Sequence, residues 1–564
     1  MNTEIIGILV TFLVAIGISI PLGKYIAKVY VGQPTFLDRM MSPLERFFYT
    51  SSRIKPEENM NWKQHLVALL TLNAVWFVVA FVLLLTQGSL PLNPDHNPSM
   101  SPDLAFNTTI SFLVNCNLQH YAGETGVTYL AQLALMFLQF VSAATGMAAA
   151  VVVFEAFRNK TTTLLGNFYV YFVKSITRIL LPLSVVVAAI LIFQGTPMTF
   201  EGKDTITTLE GQQIEVSRGP AAAFIAIKHL GTNGGGFFGT NSAHPFENPT
   251  YLTNMVEMIA QLIIPLAMIF AFGYYINRKR FSWMMFGVMT LGFLCLAIPN
   301  VVMEANGNPN ITAMGIDNSL GAMEGKEVRI GAAASGFWSI VTTVISTGSV
   351  NSMHDSTMPL SGMNQLLAMM INAFYGGVGV GILNFFVFIV LAVFISGLMV
   401  GRTPELFGKK IEAKEMKIAM IIALIHPLLI LSSTALGAAF PEFTKDTLNN
   451  PSFHGFSEIL YEYTSSAANN GSGFEGLGDN TPWWNFSTGI ILLLGRFLPI
   501  IGPVALAGCL AQKRYVPENA GTLATDTSTF GMIVFTVILI VAALAFFPVL
   551  TLGPIADYFT ILSL

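Results

Sequence analysis

Ten apolar runs, each long enough to cross a bilayer as a helix, constrain this chain more than any other feature. They fall at residues 5–30, 65–86, 128–154, 169–193, 255–276, 281–303, 371–400, 416–438, 485–510 and 531–550. Composition agrees: 53% of the residues are hydrophobic and only 11% are charged. The class is a polytopic, all-α membrane protein. A formal net charge of -4 with no basic tail argues against a nucleic-acid partner. Cys116, Cys295 and Cys509 are too far apart in sequence to read as a disulfide framework or a metal cluster. The first run is expected to be a retained helix and not a removable signal peptide, because Glu4 stands where a basic segment would be needed.

The lysines and arginines alternate along the chain. Lys24, Lys28, Arg39, Arg46, Arg53, Lys55 and Lys63 follow the first run. Arg158 with Lys160, Arg278 to Arg280, Arg402 with Lys409, Lys410, Lys414 and Lys417, and Lys513 with Arg514 then occupy every second gap. The positive-inside rule makes these loops cytoplasmic and puts both termini outside the cell. The other gaps are longer and acidic, carrying Asp95, Asp103 and Glu124 in one, and Glu442, Asp446, Glu458, Glu462, Glu475 and Asp479 in another.

Each long outer gap holds a short, partly apolar stretch that runs into Ser, Thr, Asn and Gly. The four stretches are residues 106–117, 221–234, 335–349 and 456–472. Stretches this short cannot span and suit re-entrant segments. The chain therefore reads as four copies of span, re-entrant helix, polar turn and span, an internal repeat that fixes the architecture. A leading helix occupies 1–32, pore repeats occupy 64–154, 168–276, 281–400 and 416–511, and a trailing helix occupies 529–564.

Four such units can close with pseudo-fourfold symmetry around a central pore. The short helices would aim partially negative carboxyl ends at the axis. Carbonyls of the turns would then replace a cation's hydration shell. The candidate filter residues are Asn115, Cys116 and Asn117; Thr232, Asn233 and Gly234; Ser346, Thr347 and Gly348; and Asn469, Asn470 and Gly471. No basic ring is present for anions, and the turns lack the carboxylates that a calcium or magnesium site would use. A monovalent cation path is the expectation.

The sequence resembles the potassium-translocating A subunit of the bacterial Kdp ATPase, within the superfamily of potassium transporters. The matching residues are Gly231-Thr232-Asn233-Gly234-Gly235-Gly236-Phe237-Phe238, residues 241–250, Gly401-Arg402-Thr403-Pro404-Glu405 with Gly408-Lys409-Lys410, and Ser466-Ala467-Ala468-Asn469-Asn470. The resemblance covers essentially the whole chain. It implies high-affinity potassium uptake driven by ATP, with K+ as the transported ion and the selectivity filter in this non-catalytic subunit. Hydrolysis would belong to a P-type ATPase B subunit, and C and small F subunits would complete a complex in the bacterial cell membrane. The chain has neither a Gly-x-x-x-x-Gly-Lys-[Ser/Thr] loop nor an Asp-Lys-Thr-Gly-Thr motif, so no ATP site is expected here. Cys116 departs from the family's usual threonine, although its backbone carbonyl remains.

Other candidates carry two readings. Arg496 lies inside the ninth apolar run, and a midspan charge marks either a functional position in the ion path or a buried ion pair. Gly376, Gly377 and Gly379 interrupt a span. They read as close helix packing or, as the resemblance implies, as a gating loop at the start of a lateral tunnel toward the B subunit. Lys228 beside the second turn is unexpected in a cation path unless it turns away and pairs with an acid such as Glu247. Glu257 reads as an interfacial anchor, and His120, His244, His354 and His454 as surface residues at helix starts, since their spacing matches no zinc motif. Two rival functions remain. A stand-alone potassium channel or symporter would share the same pore. An intramembrane enzyme would need a paired acid-base constellation inside a span, and none is visible.

Overall fold

The computed structural model describes residues 3–517 and 522–563. Among them, ten helices are long and apolar enough to cross a membrane. They are α1 (Thr3–Val31), α3 (Trp62–Thr86), α5 (Tyr129–Arg158), α6 (Phe168–Phe193), α8 (Tyr251–Tyr275), α9 (Lys279–Asn306), α12 (Val380–Met399), α13 (Ala413–Ala439), α15 (Pro482–Ala511) and α16 (Ser528–Leu552). An amphipathic helix, α2 (Asp38–Ser51), follows the first. Four shorter helices sit between the paired spans: α4 (Pro102–Leu113), α7 (Ala221–Leu230), α10 (Ala332–Val344) and α14 (Ser452–Ala468). Two small antiparallel hairpins, Asp204–Thr207 with Gln213–Val216 and Glu405–Leu406 with Lys409–Lys410, stand in loops.

Burial divides each repeat into an outer and an inner span. The most apolar window of α3 is 28% buried against 94% for α5. The corresponding pairs are 39% and 83% for α6 and α8, 44% and 67% for α9 and α12, and 28% and 50% for α13 and α15. In every repeat the span after the turn is the inner one. The four short helices are largely buried as well, and all of α10 is buried. This is the arrangement in which backbone at membrane depth is tolerated, enclosed by protein on all sides.

The third repeat departs from the expected span 371–400. Its inner helix begins at Val380, and a separate helix, α11 (Pro359–Ile371), precedes it. The intervening backbone cannot stay helical, because Asn372, Tyr375, Gly376 and Gly379 all have positive φ (44°, 62°, 67° and 79°). In the second repeat, α6 contains a π-helical turn at Ile176–Leu180. A last helix, α17 (Pro554–Ser563), lies against α11 and α14.

Candidate functional site: four turns at the pore axis

The four short helices end in the same way. One or two residues past each helix, a left-handed residue turns the chain: Asn115 (φ 65°), Thr232 (φ 52°), Ser346 (φ 52°) and Asn469 (φ 50°). The next amide then reaches back five residues to a helix carbonyl. Cys116 N donates to Ser111 O (3.0 Å), Asn233 N to Lys228 O (2.8 Å), Thr347 N to Thr342 O (2.9 Å) and Asn470 N to Ser465 O (2.9 Å). This is the Schellman closure of a helix end. It recurs four times although the side chains differ.

The turns close on one another through glycine. A methyl group on Gly234 would stand 2.7 Å from Thr347 O, 2.8 Å from Cys116 O and 2.9 Å from the Gly348 Cα. One on Gly348 would overlap the carbonyl of Asn470, and one on Gly471 would overlap the carbonyl of Cys116. The second turn thus touches the first and third, the third touches the fourth, and the fourth returns to the first. The ring is complete. Gly234 N also donates to Cys116 O at 2.9 Å. Carbonyl-bearing backbone from all four repeats is gathered around one axis, where Gly234, Gly348 and Gly471 meet the backbone of the next turn directly. The twelve candidate residues, 115–117, 232–234, 346–348 and 469–471, belong to these four turns.

Side chains hold the ring from behind. Asn115 Nδ2 donates to Gly231 O (3.0 Å) and Thr232 O (2.8 Å), tying the first turn to the second. Ser142 Oγ on α5 donates to Asn115 Oδ1 (2.9 Å) and Asn233 Oδ1 (3.1 Å). Asn470 Nδ2 donates to Thr342 O (2.8 Å), tying the fourth turn to the third short helix. Asn241 Nδ2 donates to the Gly234 carbonyl at 2.7 Å.

Lys228 points away from the axis. Its ammonium donates to Glu247 Oε2 (2.6 Å), Asn241 Oδ1 (2.7 Å) and Ser242 Oγ (2.9 Å), with both charged side chains wholly buried. Glu247 Oε1 also accepts from Phe238 N at 2.9 Å. Its positive charge is therefore cancelled locally, and the pair braces the glycine-rich second turn.

The broken inner span packs against the helix ends of the second and third turns. Val378 N donates to Thr232 Oγ1 (3.0 Å), and a methyl group on Gly377 would lie 3.6 Å from both Thr232 Oγ1 and Ile345 O. One on Gly379 would overlap the backbone of Gly146 on α5. Arg496 on α15 reaches the same place. Its Nη2 donates to Ser142 O at 3.1 Å, and a methyl group on Gly146 would come within 3.1 Å of that nitrogen. Among the described residues no carboxylate pairs with Arg496, so the ion-pair reading of this arginine has no partner. Gly376, Gly377, Gly379 and Arg496 form one cluster beside the second and third turns.

Several expectations need correction. Glu257 is no interfacial anchor; it is fully buried behind α7, 3.4 Å from His229 Nε2. His120 and His354 are buried, the first bonded to Asn485 Oδ1 (2.7 Å) and Glu462 Oε1 (3.3 Å), the second to the Tyr461 hydroxyl (2.8 Å). His244 is half-buried and stacks on Phe238 with centroids 4.1 Å apart. His454 bridges Asp355 (2.8 Å) and Asp557 (2.9 Å). The distant partners of His120, His354 and His454 lie 99 to 365 positions away, beyond any local signal. Asn372 was also missed: its Oδ1 accepts from Ser346 Oγ (3.1 Å) and its Nδ2 reaches Ala468 O (3.4 Å), across two turns. It stands four residues before Gly376, with nothing local to mark it.

The potassium-transporting ATPase A subunit family profile matches residues 9–559. The chain is 68% identical to the potassium-transporting ATPase potassium-binding subunit of Flavobacterium psychrophilum, over the full length of both. It is 60% identical to the subunit of the same name in Bacteroides thetaiotaomicron, again over both full lengths. The match to that of Geobacillus kaustophilus is 47% over 98% of each chain. Among solved structures, the potassium transporter TrkH from Vibrio parahaemolyticus superposes with a TM-score of 0.52 at 14% identity, covering 89% of this chain and 98% of that one. That likeness establishes the shared fold of repeated pore-forming units. With its full-length relatives and its fourfold repeat, this chain belongs to the potassium-transporting ATPase A subunit family.

Proposed function

We propose that this chain is the potassium-binding and translocating subunit of an ATP-driven potassium import complex. The observation that carries the reading is the closed ring in which Gly234, Gly348 and Gly471 bring the carbonyls of neighbouring turns into contact. A potassium ion entering from the acidic outer face would exchange its water for carbonyl oxygens of residues 115–117, 232–234, 346–348 and 469–471. The carboxyl ends of α4, α7, α10 and α14 add partial negative charge at the same point. We take 64–154, 168–276, 281–400 and 416–511 as the four repeats, flanked by 1–32 and 529–564.

Selection and energy supply are divided between chains. A P-type ATPase B subunit hydrolyses ATP, and C and small F subunits complete the assembly in the bacterial cell membrane. The basic loops face the cytoplasm and both termini face outward. Arg496 and the loop around Gly376, Gly377 and Gly379 form the gate: a fixed positive charge beside a helix break opposes a cation leaving the filter until the loop moves. That no carboxylate pairs with Arg496 among the described residues supports this role over a structural pair. The stand-alone channel or symporter is disfavoured because the full-length relatives bear the name of an ATPase subunit.

Gly234→Asp tests the filter. It is expected to lower potassium affinity or relax discrimination against rubidium in uptake assays on the assembled complex. Unaltered affinity and discrimination would sink the filter assignment.

A further inference from the structure

A cavity of about 600 Å³ opens beside the end of α2, between α3, α5 and the start of α6. Its two ends differ in chemistry. Leu72 and Trp76 of α3 and Phe137 of α5 make an apolar wall, with the Trp76 and Phe137 rings 4.9 Å apart. Arg53, Lys55 and Glu58 form the rim, which carries two positive charges against one negative. The rim backbone is fixed: Asn167 Nδ2, buried, donates to Lys55 O (3.2 Å) and Glu58 O (2.8 Å).

The neighbouring helix shows where the bilayer surface lies. On α2, Met40, Leu44 and Phe47 form one exposed apolar stripe, Phe47 with 65% of its surface free, and Phe36 just before the helix is 82% exposed. The opposite face is anchored, since Arg178 in the π-helical turn of α6 donates to Glu45 Oε1 (2.5 Å) and Oε2 (2.7 Å) and also binds Asp38. A helix clamped on one face, apolar on the other and bearing Arg39 and Arg46 suits the interface between headgroups and acyl chains. The rim at Arg53 and Lys55 follows directly, so it stands at headgroup level while the apolar wall reaches toward the membrane interior.

We propose that this cavity binds one anionic glycerophospholipid of the adjoining leaflet. An acyl chain lies along Leu72, Trp76 and Phe137, and the phosphate is held by Arg53 and Lys55. The volume lies within the range of about 300–1,000 Å³ usual for small-molecule sites. Charge complementarity at the rim selects an anionic headgroup over a zwitterionic one. The inference rests on the membrane placement given above and not on the filter.

Native mass spectrometry of the full-length chain in its assembled complex, with phosphatidylglycerol or phosphatidylcholine of matched acyl chains added to detergent, tests the site. The unaltered chain is expected to retain phosphatidylglycerol preferentially. The double variant Arg53→Gln/Lys55→Gln should lose about 5-fold in that retention for each charge removed, with phosphatidylcholine unaffected. Leu72→Trp, which fills the apolar end, should lower retention of both lipids. The Gly234→Asp filter variant should retain phosphatidylglycerol as the unaltered chain does, which keeps the lipid and filter readings apart. Equal retention of the two lipids that neither alteration changes would overturn the proposal. So would a Leu72→Trp chain that keeps its lipid but sheds a partner subunit, because the cavity would then hold a protein helix.

Discussion

Lys228 and Glu247 meet at 2.6 Å, nineteen residues apart in sequence, with neither side chain reaching solvent. They stand directly behind the glycines of the second turn, and Asn241 links the lysine to the Gly234 carbonyl. Removing one partner strands a buried charge, which typically costs about 3–5 kcal/mol. Glu247→Gln is therefore expected to lower the thermal midpoint by far more than a surface change. Lys228→Met combined with Glu247→Leu should recover much of the loss, because both charges then leave together. A fluorescence-detected melting series would check this, and equal damage from the single and double variants would refute the pairing as the cause.

Contact between turns predicts a steric threshold at Gly348. Its φ is 85°, and a side-chain carbon would overlap the Asn470 carbonyl. Gly348→Ala should displace the fourth turn and weaken potassium binding by about 10-fold or more, equivalent to about 1.4 kcal/mol. Gly17→Ala is the matched control, since a methyl group there meets nothing within 4 Å. Uptake measured against potassium concentration distinguishes the two. Wild-type affinity in Gly348→Ala would mean that the turns do not need this contact.

Arg496→Gln removes the charge and, with its shorter side chain, the hydrogen bond from Nη2 to Ser142 O. It should change the potassium transport rate on the order of 10-fold, the effect of about 1.4 kcal/mol on a barrier, while the subunits still co-elute. A variant that fails only to assemble would instead assign Arg496 a structural role.

His454 gives a pH-dependent contact at the start of α14. Burial lowers its pKa, but hydrogen bonds and charge from Asp355 and Asp557 raise it further, to about 10. The folded value exceeds the ordinary 6.5, so the imidazolium's contribution is complete below pH 6.5 and disappears as pH rises through about 10. Hydrogen bonds to charged groups contribute about 1.5–3 kcal/mol. His454→Gln should therefore melt below the unaltered protein at pH 6, and the gap should narrow toward pH 10. A gap that is constant with pH would show that the contact is not ionic.

The spans and the four turns were legible because both are local. Hydropathy marks a helix wherever about twenty apolar residues run together, and polar small residues directly after a short apolar stretch mark a turn. The break at 372–379 was only half legible: Gly376, Gly377 and Gly379 announced an interruption, but the left-handed Asn372 and Tyr375 that extend it carry no such sign. The amphipathic α2 went unseen because it is short, contains Pro43 and mixes charges with aromatics. The histidines were misread for a different reason. His120 bonds to Asn485 and Glu462, and His454 to Asp557, so their surroundings are set by segments that fold back from the far end of the chain. Periodicity cannot report such partners. In the site itself, the turn residues were recognisable as a set, whereas their order of contact around the ring needed three dimensions.

That ring is assembled from one polypeptide, and its four walls are free to differ. In a pore built from identical subunits, any substitution appears in every quadrant at once, so no quadrant can be specialised. Here the second wall carries a buried ion pair, the third leads into a broken helix and the first presents a cysteine, each without imposing the same feature on its neighbours. The covalent linkage of the quadrants thus gives evolution four separately adjustable walls around one axis, so that a change to one need not disturb the other three.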